Sequence, residues 1–117
     1  MKTGEIWLIP YPHTDLTSAK KRPSLVLHVE SSLLVLSRPS PEDALLLAIS
    51  SVVSRKGPLD IVFPDTDPDF PASGLRKSSL FKVPKLFTLS CSMGVRKLGV
   101  LSPAWFERIR TAVRMAI

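Results

Sequence analysis

GEIWLIPYPHTDLTSAKKRPSLVL, residues 4–27, decides how the rest of the chain is read. Gly4–Tyr11 is an apolar run that ends in prolines, Pro12–Lys21 is a polar loop, and a second apolar run opens at Arg22-Pro23. Short runs rich in Leu, Val and Ile and bounded by such punctuation read as β-strands. Alternation along Arg22–Val29 puts Leu25, Leu27 and Val29 on one face and Ser24, Val26 and His28 on the other. Lys20, Lys21 and Arg22 stand at the mouth of this strand. A run of cations is ordinarily a solvated face, but Arg22 abuts residues that must be buried.

The same texture continues outward. Asp43–Ser51 (DALLLAISS) is nearly all apolar, the signature of a strand buried on both faces. Ser31–Pro41, between the second and third runs, is compatible with either a helical turn or a loop. Leu59–Phe63, Ser79–Val83, Lys85–Leu89 and Arg96–Leu101 read as further short strands, and Pro64–Gly74 as a loop. The tail changes period. Ser102 can cap a helix whose first turn begins with Pro103, and Phe106, Ile109, Val113 and Ala116 recur at helical spacing. The fold expected over residues 1–117 is mainly β, a small β-barrel with a C-terminal α-helix, in one domain.

Composition narrows the function. The 117 residues are 44% hydrophobic, enough for one core and too apolar for disorder. A single cysteine, Cys91, rules out an internal disulfide and a Cys-type zinc site and suits a reducing cytoplasm. The longest clean apolar run, Ala44–Ile49, is far too short to cross a bilayer, so a soluble protein with no membrane contact is expected. A net charge of +6 favours polyanions or an acidic partner protein.

Most catalytic signatures fail on inspection. Asp65–Asp69 (DTDPD) spaces carboxylates like the start of a calcium loop, but Phe70 and Arg76 stand where that loop needs Gly and Glu, so no metal site is read there. Phosphate-loop and dinucleotide motifs are absent. His13 lies beside Asp15, yet no nucleophile elbow accompanies it, and His28 reads as a structural residue in mid-strand. What remains is Arg22 with the hydroxyl pair Ser50–Ser51 at the end of the apolar strand. A guanidinium fork matches phosphate oxygens bidentately, and a serine hydroxyl can donate to a third oxygen.

At this point the sequence resembles the MazF/PemK family of toxin endoribonucleases. GEIWLIPYPHTDLTSAKKRPSLVL is similar to that family's opening strand, polar loop and Arg-Pro strand. DALLLAISS resembles its apolar strand ending in Thr or Ser. SGLRKSSLFKVPKLFTL resembles its Gly-led strand with Lys-Leu-x-Thr-Leu, and RKLGVLSPAWFERI its closing Gly-x-Leu-Ser and terminal helix. The resemblance implies an SH3-like barrel of the CcdB/MazF type that works as a homodimer, binds single-stranded RNA along the dimer groove, and is blocked by a cognate antitoxin with an acidic tail. It further implies metal-independent, sequence-specific cleavage without a cofactor, giving 2′,3′-cyclic phosphate and 5′-hydroxyl ends. The family's catalytic pair falls on Arg22 and Ser50, where Ser replaces the commoner Thr. His13, Lys20, Lys21 and Ser51 would contact the RNA, against the competing reading of Lys20 and Lys21 as a solvated loop. Two rivals stand beside this reading. One is a non-catalytic nucleic-acid-binding barrel; the other is a CcdB-like gyrase poison, disfavoured because the chain closes on Met115-Ala116-Ile117 rather than Trp-Gly-Ile.

Overall fold

In a computed structural model, residues 1–10, 20–30 and 42–116 are described. Among these residues six strands and two α-helices follow in the order β1 (Glu5–Pro10), β2 (Lys21–Glu30), β3 (Asp43–Ser50), β4 (Ile61–Phe63), α1 (Phe70–Ser73), β5 (Ser79–Ser90), β6 (Arg96–Val100) and α2 (Pro103–Ala116), with short 3-10 turns at Val53–Arg55 and Cys91–Met93. The strands form one antiparallel sheet in the order β4-β5-β3-β2-β1-β6. The sheet curls into a half-barrel, so the expected barrel is open, with β4 and β6 at its edges.

Strand β3 is buried on both faces, as its unbroken apolar run requires. Leu47 and Ile49 enter the main core with Ile6, Leu25, Phe63, Phe81, Trp105 and Ile109. Ala44 and Leu46 enter a second cluster with Ile9 and Val26. Helix α2 closes the main core. Ser102 caps it, its Oγ accepting from the Trp105 N–H at 3.3 Å while donating to Asp69 at 2.9 Å. Trp105 and Ile109 are its buried residues, and Ala116 is exposed. The buried stripe therefore starts one residue before Phe106, because Trp105 wedges against Phe63 with ring centroids 4.6 Å apart.

Four local expectations are corrected. Val29 packs in the second cluster and not beside Leu25 and Leu27, because a bulge between Val26 and His28 inserts Leu27 and flips the alternation beyond it. Ser79–Val83 and Lys85–Leu89 are one strand, since Pro84 falls where the β3–β5 register shifts and no ladder N–H is needed. Leu59 lies outside β4 and is half exposed. Pro64–Gly74 holds a helical turn, α1, started by Pro71 in its first turn and stopped by Gly74 in the left-handed region at φ 74°. Ser31–Pro41 lies outside the described residues.

Candidate functional site

A cleft of about 500 Å³ opens where β2 begins and β3 ends. Pairing explains why Arg22 and Ser50 meet there. Ser24 faces Ala48 across the β2–β3 ladder, and running that antiparallel register two residues further sets Arg22 opposite Ser50. Arg22 is half-buried, held between Pro23 and Lys21, and pairs with Ile9 of β1 on its other side. Ser50 is half-buried too. Its Oγ accepts from the Val52 N–H at 3.2 Å, which occupies a lone pair and leaves the hydroxyl proton for a ligand.

Lys21, Arg22, Ser50 and Ser51 all line this cleft. Lys20 is exposed and is not among its lining residues, and His13 lies outside the described residues. His28 sits at the far end of β2, exposed, against a separate cavity under α2.

The sequence reading missed three cations in the same cleft: Arg76 and Lys77 on the loop after α1, and Arg96 on β6. The loop is pinned. A Cβ at Gly74 would collide with the Leu98 carbonyl oxygen, and one at Gly99 with the Ala72 carbonyl oxygen, so only glycine lets the end of α1 lie directly on β6. At the loop's other end the Ser79 hydroxyl donates to the Lys77 carbonyl at 2.8 Å. The only trace of these cations in the sequence was the repeated Arg-Lys pair at 76–77 and 96–97, and nothing in the sequence joins the two. No carboxylate lines the cleft among the described residues, while Leu8, Leu75 and Leu98 supply apolar surface. The arrangement is a positive, partly apolar trough with a guanidinium and a hydroxyl at one end.

Nearby carboxylates are engaged elsewhere. Glu5 accepts from the Trp7 indole at 3.0 Å and the Lys2 amide at 2.7 Å, and pairs with Lys97 at 2.8 Å. Burial pushes its pKa up, but the hydrogen bonds from Lys97, Trp7 and Lys2 outweigh that and bring it down to about 2. Asp60 is buried and pairs with Lys82, which with the Gly57 amide holds it below the usual carboxylate range against the opposing effect of burial. The Cys91 thiol is half-buried in the second cluster, and burial raises its pKa; it is a packing residue. Asp67 and Asp69 make turn and cap hydrogen bonds. No helix among the described residues is long and apolar enough to cross a membrane.

No protein-family model and no curated protein matches the sequence. Solved structures do match the fold. A Mycobacterium tuberculosis toxin, MazF-mt6, is 17% identical over 96% of this chain and 94% of its own, with a TM-score of 0.64. An endoribonuclease in complex with its cognate antitoxin, from a mycobacterial species, is 19% identical over 97% of this chain and 91% of its own, with a TM-score of 0.62. A mycobacterial endoribonuclease is likewise 19% identical over 97% of this chain and 86% of its own, with a TM-score of 0.59. The curled sheet and terminal helix described above are the fold of MazF toxins, running nearly the whole length of both chains.

Proposed function

We propose that this protein is the toxin of a toxin–antitoxin pair, an endoribonuclease that cuts single-stranded RNA. The observation that carries the reading is the convergence of Arg22 and Ser50 on one positive cleft, in a chain with the MazF fold. A trough suits RNA whose bases are splayed out, and not a duplex read by a helix in a groove.

The RNA supplies its own nucleophile. A ribose 2′-oxygen loses its proton and bonds to the adjacent phosphorus, and the bond to the 5′-oxygen of the next nucleotide breaks as that oxygen gains a proton. The products are a 2′,3′-cyclic phosphate and a 5′-hydroxyl. Negative charge builds on the phosphoryl oxygens in the transition state, and the Arg22 guanidinium neutralises it. The Ser50 hydroxyl donates a hydrogen bond to a phosphoryl oxygen and orients the phosphate. No step needs a metal or a cofactor. Lys21 and Ser51 hold the backbone beside the reacting phosphate, and Lys20 and His13 also contact the RNA. The chain acts as a homodimer in the cytoplasm, and an antitoxin with an acidic tail occupies the trough.

Incubating the purified protein with a long RNA in EDTA tests this. Defined cuts with cyclic-phosphate ends are expected, and Arg22→Ala should lower the rate by roughly 10²–10³, as loss of one transition-state donor does. RNA that shifts in a gel but stays intact would leave only a binding protein, and wild-type cleavage by Arg22→Ala would remove Arg22 from the mechanism.

A further inference from the structure

The trough is longer than one phosphate requires. Arg22 pairs with Ile9 of β1, and the neighbouring Leu8 pairs with Arg96 of β6. Arg96 is therefore two strands from Arg22, roughly 10 Å at strand spacing, and on the other face of the pleat, so the two side chains reach the cleft from different directions. Arg76 and Lys77 flank it on the loop that Gly74 and Gly99 press onto β6. Each of these three cations lacks an ion-pair partner among the described residues. Their neighbours differ: Lys97 pairs with Glu5, and Lys82 with Asp60. All three cations are exposed, and together they give this stretch of the cleft a positive potential that attracts an anion.

We infer that Arg96, with Arg76 and Lys77, forms a second phosphate position in the cleft, which takes the backbone phosphate of a nucleotide flanking the one held at Arg22 and Ser50. This rests on the nuclease reading above. The apolar side chains of Leu8 and Leu98 lie in the same cleft and give the sugar or base between the two phosphates a surface to pack on. The site thus selects a chain with at least two consecutive phosphates and discriminates against a dinucleotide, which has one.

Binding is measured with a short RNA made uncleavable by a single 2′-deoxy sugar at the cut position. Arg96→Ala should weaken binding and flatten the dependence of log K on log salt by about 0.7–1, one phosphate contact. Arg114→Ala, which removes the same charge from α2, should leave that slope as it is. A chemical variant avoids any question of folding. With wild-type protein, replacing the flanking phosphate by an uncharged methylphosphonate should reproduce the Arg96→Ala loss, and the two changes together should cost no more than either alone. If methylphosphonate at every flanking position binds like normal RNA, or if its loss adds fully to that of Arg96→Ala, the second position does not exist. In that event, RNA cleavage that still needs Arg22 would leave the nuclease reading standing. A wild-type protein that neither binds nor cuts RNA would overturn both.

Discussion

Ser24 lies two residues from Arg22 on β2, fully buried, and its Oγ has no hydrogen-bond partner among the described residues. A buried hydroxyl left unpaired costs about 1–3 kcal/mol, so Ser24→Ala should be neutral or raise the melting temperature slightly, read by thermal denaturation. Asp60 is the opposite case. Removing it strands the ammonium of Lys82, mostly shielded from water, so Asp60→Ala should cost roughly 3 kcal/mol in a denaturant titration. At this scale the sequence was legible where one residue contradicted its surroundings. Arg22 stood out because a charge met an apolar strand, and Ser50 because a hydroxyl ended one. Arg76, Lys77 and Arg96 stood out from nothing, since each sits in an ordinary polar stretch and gains meaning only through pairing with distant strands.

Elements were legible where periodicity was uninterrupted. The double-sided burial of β3 and the cap at Ser102 follow from local chemistry alone. Bulges were not legible, because they depend on what the partner strand offers: Leu27 is inserted against β3, and Pro84 is tolerated only because β3 and β5 lose register beside it. The turn of α1 hides in a Pro- and Asp-rich stretch that reads equally well as a loop, and it forms because Phe70 can bury against Phe63, ring centroids 5.2 Å apart. Gly74 is the element-scale test. Gly74→Ala would place a side chain at positive φ and drive it into the Leu98 carbonyl, costing roughly 2–4 kcal/mol from backbone strain and overpacking together. The surviving folded fraction should bind RNA less tightly, because Arg76 and Lys77 lose their seat on β6; unchanged stability in chemical denaturation would contradict the close packing of α1 on β6.

For the molecule as a whole, the cluster around Glu5 ties the sheet's β6 edge to β1 and makes stability depend on acid. The folded-state pKa of about 2 lies below the usual 4.5, so the unfolded chain takes up this proton first. The stabilisation is complete above the usual value and drains away as pH falls from there towards 2. Wild-type protein should lose melting temperature over that interval, and Glu5→Gln should lose less of it; parallel curves would mean that the proton is taken up elsewhere. The general architecture was readable because strand punctuation and a change of period near residue 102 are properties of the chain itself. The openness of the barrel was not, since closure depends on whether β4 and β6 meet. One consequence follows from the position of β6. The trough draws one wall from residues 21–51 and the other from residues 74–98, and the core beneath it is sealed by Trp105 and Ile109. A nascent chain therefore lacks a complete trough until codon 109 has been translated and its product has cleared the ribosome, so whatever chemistry the cleft performs must wait until synthesis is nearly finished.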